Sequence, residues 1–114
     1  MSDQPLIDVS EADWLIIRNI LRAHVPDCTV WAFGSRATGR AKQYSDLDLA
    51  ISGNKPFGLD LAAQLAEAFA ESDLPYKVDI VDWTTASEVF RKVIERDRVI
   101  VQSEYSSDAR MMGA

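Results

Sequence analysis

The stretch of sequence that decides the fold is VWAFGSRATGRAKQYSDLDLAI, which runs from Val30 to Ile51. It opens with β-branched and aromatic residues, which are typical of a strand, and then reaches Gly34. It closes with SDLDLAI, in which apolar and polar side chains alternate at the period of a second strand. This second strand carries Asp46 and Asp48 on one face. Because aspartate is rare in strands and costly to bury unpaired, the pair requires an explanation.

Two interpretations of the aspartate pair are open on these residues alone. Asp46 and Asp48 either form an exposed acidic edge of the sheet or bind a divalent cation, which would relieve their mutual repulsion. Gly34-Ser35 has the same ambiguity, since it suits a tight turn with a helix N-cap as well as a phosphate-binding turn. The presence of both motifs in one short segment favours the functional interpretation.

A third aspartate lies in the downstream run KVDIVDW, which also reads as a strand. If this strand pairs with the SDLDLAI strand, Asp79 lies about 5 Å from Asp46 or Asp48. Three carboxylates on one rim oppose stability, but their oxygens are the ligands that one or two Mg²⁺ ions prefer. The sequence therefore predicts a magnesium site at this edge.

The rest of the chain predicts helices around a small sheet. The first helix opens at a capping box formed by Ser10 and Asp13, and the last opens at one formed by Thr85 and Glu88. A short final strand is expected in RVIVQ. The apolar faces expected to point inward are Trp14, Ile17, Ile20, Leu21 and Val25 in the first helix, Leu61, Ala62, Leu65, Ala66 and Phe69 in the second, and Val89, Phe90, Val93 and Ile94 in the last.

The predicted order is helix, strand, strand, helix, strand, helix, strand. This order indicates an α/β (α+β) fold in which helices pack on a small mixed β-sheet. The short connection between the first two strands permits an antiparallel pair, and the helix before the third strand permits a parallel crossover. Residues 1–103 are predicted to form one domain, and the polar residues 104–114 are predicted to form a flexible C-terminal tail.

Composition narrows the classes of function. The chain has 114 residues, a net charge of -6 and 47% hydrophobic residues, which is typical of one small globular domain. No apolar run approaches the roughly 18 residues of a membrane span. The single cysteine, Cys28, excludes an internal disulfide and favours the cytoplasm. The acidic charge disfavours nucleic acid as a direct substrate, whereas the basic cluster of Arg36, Arg40 and Lys42 favours a small phosphate-bearing ligand.

Two rival motifs fail on individual residues. A Walker A loop would need lysine followed by serine or threonine where the chain has Arg40 and Ala41. Histidine-based catalysis and zinc binding have little to use, because His24 is the only histidine and Cys28 the only cysteine.

Gly34-Ser35, ten intervening residues and then Asp46-Leu47-Asp48 resemble the G-S-x10-D-x-D signature of the polymerase β-like nucleotidyltransferase superfamily. Asp79 resembles the third carboxylate of that superfamily. The runs VWAFGSRATGRAKQYSDLDLAI and SDLPYKVDIVDW are most similar to the minimal nucleotidyltransferases, which are small stand-alone catalytic domains of bacteria and archaea.

The resemblance implies a nucleotidyltransferase that uses Mg²⁺ and an NTP, with ATP the expected nucleotide. It implies that Asp46, Asp48 and Asp79 are metal ligands and that Asp79 also orients or deprotonates the acceptor hydroxyl. Gly34 and Ser35 would hold the triphosphate. Further phosphate contacts are expected from Arg36 and Lys42.

The resemblance also implies a partner. Many minimal nucleotidyltransferases act as antitoxins of a helical HEPN-domain toxin encoded nearby, in some cases by adding AMP to a toxin tyrosine. A hetero-oligomer with such a protein is therefore expected. The alternative is a non-catalytic antitoxin or binding module that keeps the nucleotide pocket and neutralises its partner by docking alone.

Overall fold

The computed structural model describes residues 4–53 and 56–103, which form four helices, four strands and a 3-10 turn. In chain order the elements are α1 (Glu11–His24), β1 (Thr29–Phe33), α2 (Ser35–Thr38), β2 (Leu47–Ser52), α3 (Gly58–Ala70), β3 (Val78–Asp82), the 3-10 turn (Trp83–Thr85), α4 (Glu88–Asp97) and β4 (Val99–Gln102). The predicted tail at residues 104–114 lies outside the described residues.

The strands form one mixed sheet in the order β3-β2-β1-β4. β1 pairs antiparallel with both β2 and β4, whereas β2 pairs parallel with β3. α3 makes the crossover that a parallel connection requires. The predicted mixed sheet, with its antiparallel first pair and its parallel crossover, is therefore confirmed.

One face of the sheet packs against α1 and α3 and holds the main core. Leu47, Leu49 and Ile51 of β2 point into it and are fully buried, as their period-2 spacing predicts. α1 and α3 contribute further apolar side chains, although Ala66 of α3 is exposed rather than inward-facing. The helical residues buried in this core are Trp14, Ile17, Leu21, Leu65 and Phe69.

The start of α1 follows the predicted capping signal. The Ser10 hydroxyl caps the helix by accepting from the main-chain N–H of Asp13 at 3.1 Å. The helix ends at His24, two residues before Pro26. The main-chain N–H of Val25 still donates to the Leu21 carbonyl, which satisfies one of the last carbonyls of the helix.

The predictions for α4 need two corrections. The cap is Ser87, whose hydroxyl accepts from Phe90 N–H at 3.1 Å, because Thr85 is already part of the 3-10 turn. Of the apolar residues expected to point inward, Ile94 is fully buried, whereas Val89 is 76% exposed. Phe90 and Val93 are also exposed. Ile94 belongs to a small second apolar cluster on the sheet. The other three residues form an exposed apolar stripe along α4.

No helix within the described residues is long and apolar enough to cross a membrane.

Candidate active site

The parallel pairing of β2 and β3 brings two of the predicted aspartates together. Asp48 and Asp79 are partners in the register of this ladder. Because Leu47 and Leu49 point into the main core, the strand alternation places Asp48 on the opposite face of the sheet. Asp46 lies just before β2 and is exposed. The prediction that Asp79 lies beside Asp46 or Asp48 is confirmed for Asp48.

The charges at this edge repel one another. The pKa of Asp48 is raised above its usual value, first by burial and then by the negative charges of Asp79 and Asp46. A cation also approaches the edge, since Lys77 Nζ lies 3.5 Å from an Asp79 carboxylate oxygen. This ion pair is largely solvated, with the two side chains 74% and 43% exposed, so it offsets little of the repulsion.

The donor set suits a hard divalent cation. Asp48 and Asp79 present carboxylate oxygens from adjacent strands, and the repulsion at Asp48 is what a bound cation would remove. Within the described ranges, however, no three His, Cys, Asp or Glu side chains are already grouped closely enough to hold a metal ion. The participation of Asp46 as a third ligand therefore stays a prediction.

Gly34 connects the turn after β1 to the aspartates. Its φ of 76° lies in the region that L-residues with side chains rarely adopt. In addition, a Cβ atom built at this position would overlap with Oδ2 of Asp48. Glycine is therefore required twice, once for the backbone conformation and once because the Asp48 carboxylate packs directly against the turn.

The turn itself is closed by short-range hydrogen bonds. The Gly34 carbonyl accepts from the N–H groups of Ala37 and Thr38, both at 3.1 Å, and from the Thr38 hydroxyl at 3.1 Å. Ser35 is the first residue of α2 and is only partly buried. Lys42 is exposed in the loop that leads to the aspartates. Both positions are compatible with the predicted contacts to a triphosphate.

Arg36 occupies a different position from the one expected of a phosphate ligand. It is 5% exposed, and its guanidinium donates to backbone carbonyls of Asp8, Lys42, Gln43 and Ser45. A phosphate would have to displace these contacts. We therefore exclude Arg36 from the phosphate-binding set that the sequence predicts.

A further carboxylate of β3 also has a structural role. Asp82 accepts from both the N–H and the hydroxyl of Thr84, at 3.0 and 2.6 Å, and thereby caps the 3-10 turn. Its second oxygen accepts from Phe57 N–H at 3.3 Å. These bonds distinguish Asp82 from Asp79, which lies three residues earlier beside Asp48.

Comparison with known proteins assigns the class. The family model described as "Polymerase beta, Nucleotidyltransferase" matches residues 15–106. The chain belongs to this nucleotidyltransferase family. Over 98 residues it is 49% identical to a Haemophilus influenzae protein named "Probable protein adenylyltransferase MntA", and the match covers 86% of each chain.

Solved structures support the fold. One is the crystal structure of a toxin-antitoxin with AMP-PNP, at a TM-score of 0.70 and 24% identity, covering 85% of this chain and 79% of that chain. Another is a tri-AMPylated Shewanella oneidensis HEPN toxin in complex with MNT antitoxin, at a TM-score of 0.64 and 22% identity, covering 87% and 77%. These matches confirm the predicted polymerase β-like fold.

Proposed function

We propose that this nucleotidyltransferase transfers AMP from ATP to a side-chain hydroxyl of a partner protein. The observation that carries the proposal is the contact between Gly34 and Asp48, with Asp79 paired beside it. It joins a glycine turn suited to phosphate and two carboxylates suited to a metal ion in a single site. The 49% identity to a named protein adenylyltransferase supports AMP as the transferred group.

We assign the site residues as follows. Asp46, Asp48 and Asp79 would hold Mg²⁺, and Gly34-Ser35 would hold the triphosphate. Mg²⁺ bound there would supply charge stabilisation for the triphosphate and for the leaving pyrophosphate. Lys42 is a candidate for a further phosphate contact from the exposed loop. The catalytic domain spans residues 1–103 in this assignment.

Asp79 is the best-placed residue to handle the acceptor hydroxyl. Its side chain is 43% exposed, so a hydroxyl from another molecule can reach it. In the reaction, the acceptor oxygen forms a bond to the α-phosphorus of ATP. The bond between this phosphorus and the oxygen that bridges the α- and β-phosphates breaks, and pyrophosphate leaves. The hydroxyl proton passes to the Asp79 carboxylate, which lies beside Asp48.

The acceptor is proposed to be a helical HEPN-type toxin encoded nearby, with which the chain forms a hetero-oligomer. Support comes from the MNT antitoxin structure, in which the HEPN toxin is tri-AMPylated. The net charge of -6 disfavours nucleic acid as the acceptor. The expected use of ATP and the presence of a single cysteine, Cys28, which excludes an internal disulfide, favour the cytoplasm as the site of the reaction.

Transfer is tested by incubating the purified pair with Mg²⁺ and ATP labelled at either the α- or the γ-phosphate. We expect α-label, but not γ-label, on the partner and none in the Asp79→Asn variant. Label from γ-ATP would instead indicate phosphoryl transfer. A partner that is neutralised without any label, and equally well by Asp79→Asn, would support the non-catalytic binding module.

A further inference from the structure

Arg36 is a buried cation whose guanidinium binds main-chain oxygens. Nε donates to the Ser45 carbonyl at 2.8 Å and Nη1 to the Asp8 carbonyl at 2.7 Å. Nη2 donates to the carbonyls of Gln43 and Lys42 at 3.0 and 3.3 Å. The main chain adds a reciprocal bond, since Asp8 N–H donates to the Arg36 carbonyl at 2.7 Å. The side chain therefore ties the N-terminal segment and the loop before β2 to α2.

The chemistry of the contact requires arginine in particular. A planar guanidinium offers five N–H donors in fixed directions, so it can satisfy several carbonyls at once, whereas a lysine ammonium cannot reproduce the fork. Its face also lies over the Tyr76 ring, 3.8 Å from the centroid. Tyr76 is itself fixed to α1 by a hydrogen bond from its hydroxyl to Asp13 Oδ2 at 3.2 Å.

These contacts converge on the backbone around Asp46. The preceding residue, Ser45, is held by Arg36 through its carbonyl. The following residue, Leu47, is held on the other side because its N–H donates to the Lys77 carbonyl at 2.9 Å. Lys77 directly follows the tyrosine under the guanidinium. Both ends of the Asp46 peptide segment are thus fixed, although the Asp46 side chain is exposed.

We propose that Arg36 is a positioning residue that orders the 42–45 loop and so holds Asp46 in place relative to Ser35 and Asp48. The proposal rests on the site assigned under the proposed function. It differs from a phosphate contact, because Arg36 acts through the backbone of the loop and never touches the nucleotide.

The test compares Arg36→Lys with a matched control, Arg91→Lys. Arg91 also donates its guanidinium to carbonyls, those of Trp83 and Thr84, and it also lies over an aromatic ring. Its hydrogen bonds anchor α4 to the 3-10 turn. Both variants therefore lose a guanidinium fork, but only one loses the contacts to the loop.

The first readout is amide hydrogen exchange without metal or nucleotide. We expect exchange in residues 42–47 to accelerate about tenfold or more in Arg36→Lys, because charge-assisted hydrogen bonds are lost, and to stay unchanged in Arg91→Lys. The second is transfer kinetics with the partner protein. Arg36→Lys should lower kcat and raise the Mg²⁺ concentration for half-maximal rate, with little change in KM for ATP.

Two results would overturn the proposal. One is unchanged exchange in residues 42–47 of a folded Arg36→Lys protein. The other is a rise in KM for ATP at unchanged kcat, which would indicate a phosphate contact.

Ser45→Ala is the second variant, to be used if Arg36→Lys does not fold. It removes the hydroxyl that accepts from Lys42 N–H at 2.8 Å and should loosen the same 42–45 loop. A faster-exchanging Ser45→Ala loop with an unaltered Mg²⁺ requirement would also count against it. A wild type that transfers no label rejects the proposed function, whereas the exchange data still decide the role of Arg36.

Discussion

The two faces of the sheet have opposite properties. The face under α1 and α3, the closed face, carries the main apolar core, in which Leu47, Leu49 and Ile51 are fully buried. The other face, the open face, has a smaller buried cluster among the described residues, formed by Phe33, Ala50 and Ile94 beside the carboxylates. The same strand, β2, supplies both faces with alternate residues.

The closed face stabilises the fold, whereas the open face carries the carboxylates of the candidate active site. Apolar burial on the closed face contributes most of the hydrophobic stabilisation of the fold. The open face contains groups that oppose folding, since Asp48 carries a burial penalty and two repulsive neighbours. A fold held together by one face can tolerate unfavourable charges on the other, where solvent, nucleotide and a partner can reach them.

The largest expected effect is the loss of transfer in Asp48→Asn. Removing one anionic oxygen from the metal-binding edge should reduce the transfer rate by more than about a hundredfold. Stability without metal should be unchanged or higher, because the variant loses the repulsion with Asp79 and Asp46. Transfer assays and urea denaturation check the two halves. A variant that is active, or one that is strongly destabilised, would contradict the assignment of this residue to the open face.

The adjacent residue should behave in the opposite way. Leu49→Ala creates a cavity in the closed core and should destabilise the fold by about 2–5 kcal/mol. The rate per folded molecule should stay close to that of the wild type, because Leu49 points away from the carboxylates. Denaturation curves combined with rates corrected for the folded fraction measure this. If Leu49→Ala lost as much transfer rate per folded molecule as Asp48→Asn, the two faces would not have separate roles.

A smaller effect is expected in the pH dependence of stability. The pKa of Asp48 is raised in the folded protein, so above its ordinary value of 3.8 the folded state retains a proton that the unfolded chain releases. Stability from this group is therefore present at low pH and decreases as the pH rises through that window. In EDTA, Asp48→Asn should gain stability relative to wild type from about pH 4 upwards. A difference in unfolding free energy that is constant across a pH series would exclude this coupling.

The smallest effect is expected on the exposed stripe of α4. Val89 is 76% exposed, so Val89→Ser should change the unfolding free energy of the isolated chain by no more than about 0.5 kcal/mol. Urea denaturation of the chain alone is the measurement. A loss approaching that of Leu49→Ala would show that α4 packs more tightly than this structure describes.

The sequence was sufficient for the strands and for the central motif. The alternation in SDLDLAIS predicted which residues of β2 are buried in the main core. It therefore also predicted that the carboxylates lie on the opposite face of the sheet. It failed for α4, because helical spacing identifies an apolar stripe but not what covers it. The stripe residues Val89, Phe90 and Val93 are left exposed.

The contacts of Arg36 could not be predicted from the sequence either. Its partners are main-chain carbonyls up to 28 positions away, and a backbone carbonyl has no signature in the residue type. Basic residues beside an acidic motif suggested phosphate binding, whereas folding buries one of them. The interaction of Asp48 with Gly34 left a clearer signal, since both belong to one motif with fixed spacing.

The most direct test of the metal–nucleotide site is a measurement of thermal unfolding. Mg²⁺ and a non-hydrolysable ATP analogue are added, singly and together, to the wild type and to the double variant Asp46→Asn/Asp48→Asn. Ligand at about a hundredfold excess over its Kd stabilises the fold by about 2.7 kcal/mol. We predict that the two additions together raise the wild-type Tm more than either alone, because the triphosphate completes the coordination of the metal. The double variant should be at least as stable as the wild type without metal and should gain nothing from the additions. A wild type that is indifferent to both, or a double variant that responds equally, would contradict the assignment of the open face as a nucleotidyltransferase site.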